Sequence, residues 1–109
     1  MTVADELADV DRVVAEARAA QLAYQTDATQ DRYDTAAKAV AWAIMEPGRN
    51  RALAELSVKT TGLGNVADKI TKNHRKTLGL MRDIAEVATH GIISDDPATG
   101  ITEIARPIG

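Results

Sequence analysis

The stretch GIISDDPATGITEIARPIG, residues 91–109, decides the fold class, because it predicts a β-hairpin after a chain that is otherwise helical. A short apolar run leads into a turn signal made by Asp95, Asp96, Pro97 and Gly100, and a second apolar run follows. Two short β-runs joined by such a connection predict a hairpin. Since a two-stranded hairpin is only marginally stable in water, we expect further structure to cover it and interpret the chain as the beginning of something larger.

Four helices are predicted ahead of the hairpin, over residues 3–24, 29–46, 50–60 and 65–88. Thr2 and Asn65 are N-cap residue types at the starts of the first and fourth helices. The Pro47-Gly48 pair is expected to stop the second helix, and Gly62 the third. The fold class is therefore mainly α with a C-terminal β-hairpin.

The first helix has one apolar face, with steps of three and four residues between its members: Val3, Leu7, Val10, Val14, Ala17 and Tyr24. Such a face suits packing on a larger body, an encapsulation peptide or a membrane surface. Because the polar face is acidic, anionic lipid is disfavoured, and packing is the preferred interpretation.

Three further side chains are given structural roles. Trp42, the only tryptophan, is predicted to anchor a core. Asn73 lies within the apolar stripe of the fourth helix, so we expect its amide to bond to a neighbouring backbone segment. His74 is expected to be hydrogen-bonded at the same packing surface. The stripe itself comprises Val66, Ile70, Thr77, Leu80, Met81, Ile84 and Ala88.

Composition excludes several classes of protein. The 109 residues are 45% hydrophobic but only 3% aromatic, with no Phe, so the core is expected to be thin. The chain has no cysteine, which rules out a disulfide framework and fits a cytoplasmic protein. No apolar run approaches the roughly 20 residues of a membrane span, so no membrane partner is expected.

Charge is distributed unevenly along the chain. Residues 1–46 contain four basic and nine acidic residues, whereas residues 49–82 contain eight basic and two acidic ones. The basic cluster of Lys69, Lys72, Arg75 and Lys76 raises the question of nucleic acid. The chain is acidic overall, and no aromatic residue lies between these basic residues. The cluster is therefore interpreted as a solvated flank of the fourth helix, or as a flank that faces an acidic protein surface.

Three motifs, taken together and in this order, resemble the N-terminal part of acylating, CoA-dependent aldehyde dehydrogenases. They are Thr61-Gly62-Leu63-Gly64, then Asp68-Lys69 with Lys72-Asn73-His74, then Glu103-Ile104-Ala105-Arg106-Pro107-Ile108-Gly109. The resemblance covers essentially the whole chain and includes the acetaldehyde and sulfoacetaldehyde dehydrogenases. One departure is Lys59-Thr60, where the family commonly has acidic residues before the TG element.

The resemblance implies an aldehyde dehydrogenase-like α/β fold for the parent, a reactive cysteine, and NAD(P) and CoA as cofactors. This chain has no cysteine, no GxGxxG after a strand and no phosphate-binding loop. Gly62 and Gly64 are interpreted as helix termination. Neither His74 nor His90 has a second ligand at zinc spacing. We therefore expect no catalytic, cofactor-binding or metal residue in this chain.

Two hypotheses follow. In the first, residues 1–90 are a non-catalytic helical segment and residues 91–109 a hairpin leading toward a missing nucleotide-binding domain. Its partners are then the remainder of the dehydrogenase or its subunits, in a homo-oligomer that oxidises a small aldehyde to acyl-CoA. In the second, the chain is a stand-alone helical protein-interaction module. Cooperative unfolding of a monodisperse chain would favour the second hypothesis.

Overall fold

The computed structural model describes residues 1–108 and consists of four helices followed by a two-stranded antiparallel hairpin. The elements are α1 (Val3–Thr26), α2 (Gln30–Met45), α3 (Pro47–Thr61), α4 (Val66–Ile84), β1 (Gly91–Asp96) and β2 (Ile101–Ala105). The predicted fold class is confirmed. Gly109, the last residue of the predicted hairpin stretch, lies outside the described residues.

Helix α1 begins as predicted after Thr2, whose side chain accepts a hydrogen bond from the Asp5 N–H at 3.2 Å. Asp5 Oδ2 in turn accepts from the Thr2 N–H at 2.8 Å, which completes a capping box. The helix continues to Thr26, two residues beyond the predicted end, and contains no buried residue. Its start is therefore determined locally.

The predicted boundary between the second and third helices was wrong by three residues on one side. Pro47 does stop α2, but it is also the first residue of α3, which was expected to begin at Asn50. Proline lacks an N–H, and the first helical position needs none, so proline is well tolerated there. Glu46 caps this start by accepting from the N–H groups of Gly48 at 3.0 Å and Arg49 at 2.8 Å.

The α3–α4 connection follows the prediction closely. Gly62 adopts the left-handed conformation, with φ of 67°, and its N–H donates to the Val58 carbonyl at 2.8 Å. Asn65 then caps α4 by accepting from the Asp68 N–H at 2.9 Å. Helix α4 ends at Ile84, four residues before the predicted end at Ala88.

The hairpin pairs Gly91 with Ala105 at its open end and Asp96 with Ile101 at its turn, and a register shift falls between Ile92 and Ser94. Such a bulge adds one residue to β1 and increases the local twist. In the turn, Asp96 accepts from the Gly100 N–H at 2.9 Å through its carbonyl oxygen. The predicted Asp/Pro/Gly turn is therefore confirmed.

The chain divides into two compact units, residues 1–30 with those from 88 onward, and residues 31–87. In the first unit, Gln30 makes two 2.8 Å hydrogen bonds with Thr89, accepting from its N–H and donating to its hydroxyl. In the second unit, α3 packs on α4.

The core is as thin as the composition predicted. Among residues 1–108 the buried positions are Ala41, Asn50 and Ala54, and no large side chain is fully enclosed. Trp42, predicted to be a core anchor, is 57% exposed, so that prediction was wrong. The side chain buried beside it in sequence is the small Ala41, because α2 turns this alanine inward and the indole outward.

Candidate functional site

The most constrained polar group of the second unit is a pair of amides between α3 and α4. Asn50 is 3% exposed, and its Nδ2 donates to the Ile70 carbonyl at 2.9 Å. Its Oδ1 accepts from Asn73 Nδ2 at 2.9 Å. Both polar atoms of the Asn50 amide are therefore satisfied inside the protein, as burial of a polar side chain requires.

Asn73 was expected to bond to a neighbouring backbone segment, but its partner is the side chain of Asn50. The hydrogen bond to the backbone is made by Asn50, whose side-chain amide donates to the Ile70 carbonyl. Ala54, one turn after Asn50, is fully buried and lets the helices approach closely. Asn50 was not singled out from the sequence, because its partners, Ile70 and Asn73, lie 20 and 23 positions away in the chain.

Helix α4 faces α3 with most of its predicted stripe. The half-buried positions are Val66, Ile70, Asn73, Thr77, Met81 and Ile84. Leu80, predicted on this stripe, is 58% exposed, and Ala88 lies beyond the helix. His74 is exposed rather than on the packing surface. One face of α4 is thus used by α3, and an apolar remainder stays at the surface.

The basic cluster of α4 does not form a row of four equivalent cations. The Lys69 side chain lies over Gly64, where an added Cβ would be 3.3 Å from its Cε. The other three line a shallow concavity that also contains the carboxylates of Asp68 and Asp83. Mixed charge of this kind suits a solvated flank or an interface with a protein better than a track of phosphates.

Three carboxylates have lowered pKa values: Asp5 and Glu46 each stabilise the start of a helix, and Asp96 stabilises the hairpin turn. The backbone N–H of Thr2 lowers the pKa of Asp5, with help from its hydroxyl. The N–H groups of Arg49 and Gly48 lower the pKa of Glu46. The Thr99 hydroxyl, followed by the Ala98 N–H, lowers the pKa of Asp96. These shifts arise from capping bonds that favour the charged form, so they indicate structural roles.

A large apolar surface is exposed on both units. On the second unit the exposed large apolar side chains are Val40, Trp42, Leu53, Leu56, Leu63, Leu78, Leu80 and Val87. On the hairpin they are Ile92, Ile93, Ile101, Ile104 and Ile108. Exposed apolar side chains in this number, on a chain with three buried positions among residues 1–108, suggest that apolar surface is available for interaction.

Residues 1–108 contain no group of three His, Asp or Glu side chains arranged to hold a metal ion. No helix in this part of the chain is long and apolar enough to cross a membrane. Gly62 and Gly64 lie between two helices, with Gly62 bonded to α3, whereas a dinucleotide loop follows a strand. The expectation that this chain contributes no catalytic or cofactor residue stays a prediction.

Similar proteins share one description. The chain is 63% identical over 97 residues to the acylating sulfoacetaldehyde dehydrogenase of Cupriavidus necator. The matched region makes up 89% of this chain and 20% of that protein. It is 39% identical over 93 residues to the acylating sulfoacetaldehyde dehydrogenase of Bilophila wadsworthia, over 85% of this chain and 20% of that protein. The aldehyde-alcohol dehydrogenase of Clostridium acetobutylicum is 33% identical over all 109 residues, which make up 12% of its length.

No family model and no solved structure matches the chain. The sulfoacetaldehyde dehydrogenases nevertheless match across 85–89% of it. The chain spans about one fifth of the length of these relatives. The chain therefore belongs to the acylating aldehyde dehydrogenase family and corresponds to a small N-terminal region of such an enzyme.

Proposed function

We propose that this segment is a non-catalytic packing part of an acylating aldehyde dehydrogenase, whose remaining part contains the reactive cysteine and both coenzyme sites. The single observation that carries the proposal is the exposed apolar surface of α3, α4 and the hairpin on a chain with three buried residues among those described. Buried in a larger body, this surface would contribute stability that the small core does not supply.

The division of labour follows the chain. In this proposal residues 1–90 are the helical segment, and the stretch that begins at residue 91 and contains the β1–β2 hairpin leads toward the nucleotide-binding domain. In this arrangement the Asn50–Asn73 pair holds α3 and α4 together as one docking body. The remainder of the dehydrogenase is the partner, in a homo-oligomer located in the cytoplasm. The absence of cysteine from this segment is consistent with that location.

The parent enzyme would oxidise a small aldehyde and transfer the acyl group to CoA. An aldehyde, CoA and NAD(P)⁺ then give acyl-CoA, NAD(P)H and a proton. In such an enzyme the cysteine of the remaining part would carry the acyl group, NAD(P) would supply the hydride acceptor, and CoA would supply the thiol that receives the acyl group. The 63% identity to the Cupriavidus enzyme supports sulfoacetaldehyde as the aldehyde.

The described residues do not fit NAD(P) or CoA. The glycines that come nearest to a dinucleotide motif are Gly62 and Gly64, and they connect two helices. The cations of α4 are interrupted by Asp68 and Asp83. We therefore assign both coenzymes to the remainder of the enzyme.

The test compares the 109-residue chain with the protein encoded by the complete reading frame. Each is assayed with sulfoacetaldehyde or acetaldehyde, CoA, and NAD⁺ or NADP⁺, by absorbance of the reduced nicotinamide. We expect no turnover from the short chain, and CoA-dependent turnover of sulfoacetaldehyde from the longer protein. Turnover by the purified short chain would overturn the assignment of a non-catalytic role.

Folding measurements separate this proposal from the interaction-module hypothesis. Exposed apolar surface predicts that the short chain binds a hydrophobic dye and unfolds with low cooperativity. A cooperative melt by circular dichroism without dye binding would instead favour a module that folds independently.

A further inference from the structure

Helix α1 has an apolar seam along one face, and every residue of this seam is exposed. Its members recur at steps of three and four residues, at Val3, Leu7, Val10, Val14 and Ala17. An average step of 3.5 residues is the repeat of a two-stranded coiled coil. A repeat of this length lets the apolar residues of one helix face a single partner helix along its length.

A shallow groove lies at the C-terminal end of the seam. Ala17 is the smallest of the residues that line this groove, and the others are Val14, Arg18, Gln21, Leu22 and Gln25. A small side chain between larger ones forms the hole that a side chain of a facing helix fills. Val14 is the adjacent seam residue of a size to fill it, which makes the seam complementary to itself when two copies run in opposite directions.

Two charged residues of opposite sign lie along one edge of the seam. Asp11 follows the seam residue Val10, and Arg18 follows Ala17, so both lie along the same edge of the seam. Within residues 1–108 no ion pair involving either is found. Arg12, on the outer side of α1, is by contrast bonded to Asp9 at 2.6 Å and to Glu16 at 3.1 Å.

We propose that α1 pairs with α1 of a second copy of this chain as an antiparallel two-helix coiled coil. Its two-fold axis lies level with the Ala15–Glu16 peptide. This register places Val14 opposite Ala17 of the second copy, and Asp11 opposite Arg18 of the second copy. By symmetry each contact is made twice, so the pairing gives two salt bridges and fills both grooves.

The same charges disfavour the parallel arrangement. In a parallel coiled coil, a residue that precedes a seam position lies close to the residue five positions later in the partner helix. Glu6, which precedes the seam residue Leu7, would therefore lie close to Asp11 of the second copy. Like charges so placed repel, whereas the antiparallel register pairs opposite charges. On the other edge, the antiparallel register sets Val13 opposite Ala20, which explains an exposed valine outside the seam.

The first test is a charge exchange followed by sedimentation velocity over a range of protein concentrations. Arg18→Asp sets two aspartates against each other twice, so we expect the dimer Kd to rise by about tenfold or more. Asp11→Arg should do the same with arginines. An equimolar mixture of the two variants should associate again, since each heterodimer regains both opposite-charge pairs.

Arg12→Asp is the matched control, because it makes the same charge change on the outer side of α1 and should leave the dimer Kd within about twofold. Circular dichroism of every variant checks that α1 remains helical. A wild-type chain that stays monomeric would overturn the proposal. So would a dimer that Arg18→Asp does not weaken, which would place the interface on the hairpin or on α3–α4.

Orientation is tested with introduced cysteines, since the chain has none of its own. The Val14→Cys/Ala17→Cys double variant should form interchain disulfides rapidly under mild oxidation. In the proposed register, position 14 of each copy faces position 17 of the other. Val14→Cys alone should form them slowly. Rapid dimerisation of the single variant would indicate the parallel arrangement and contradict the register. These outcomes do not depend on the enzymatic role proposed for the parent.

Discussion

Helix α1 is richer in apolar residues than the α3–α4 pair, yet only the pair contains buried residues. The pair contains buried Asn50 and Ala54 and a hydrogen-bond relay that joins two helices. Helix α1 has a complete capping box and intrahelical ion pairs, but no buried residue. The contrast teaches that a segment can define its own helix and still leave open what its apolar face contacts.

The largest effect is expected from breaking the relay that distinguishes the pair. Asn50→Ala leaves the Asn73 amide and the Ile70 carbonyl without their buried partner, which should cost roughly 2–3 kcal/mol of unfolding free energy. Hydrogen exchange at the amides of α3 and α4 measures it, because exchange reports local opening and needs no cooperative global transition. Arg51→Ala, at the exposed neighbouring position, should change the stability by less than about 0.5 kcal/mol. Equal effects of the two substitutions would contradict a structural role for the relay.

A smaller effect of the same kind is expected at the turn that brings α4 back onto α3. Gly62→Ala meets no atom within 4 Å, but the φ of 67° strains an L-residue, so a loss of about 1 kcal/mol is expected. Gly48→Ala, within α3, makes ordinary contacts with Glu46 and should stabilise by about 0.5 kcal/mol. The two substitutions should therefore change the free energy of unfolding in opposite directions. A loss of stability in both variants would contradict the conformational argument.

Helix α1 should respond locally to loss of its cap. Thr2→Ala removes the acceptor for the Asp5 N–H, at a cost of roughly 0.5–1 kcal/mol to that helix. Because α1 has no buried residue, hydrogen exchange should accelerate in its first turns and remain unchanged in α3 and α4. Thr61→Ala, which removes a side-chain bond at the end of α3, serves as a comparison. Faster exchange throughout the chain would show that the two regions are coupled.

The smallest effect is expected from acid. The capping bonds lower the pKa of Asp5 from its ordinary 3.8 and that of Glu46 from 4.5. The stabilisation is therefore complete above about pH 5 and is lost as the pH falls through the lowered folded values. Helicity by circular dichroism should stay constant from pH 7 to about 5 and decline below 4. In Asp5→Asn the decline from α1 should be absent, and a decline already at pH 6 would point to other groups.

Several features were predictable because their causes are local in the chain. Thr2, Gly62 and Asn65 each satisfy helix-end groups within four residues, and all three predictions are confirmed. The hairpin turn is likewise made by Asp96 with residues two to four positions away. The start of α3 was mispredicted because Pro47 both stops one helix and suits the first position of the next.

Other features arise from contacts between distant residues. Asn50 and Asn73 are 23 positions apart, and nothing local distinguishes Asn50 from any other polar residue of α3. The outward position of Trp42 depends on which face of α2 the second unit covers. By itself the sequence determined the helices, the turn and the family, because capping, periodicity and motifs act over a few residues. Only the tertiary structure decided which polar groups are buried and which apolar faces remain exposed, because burial depends on how helices pack.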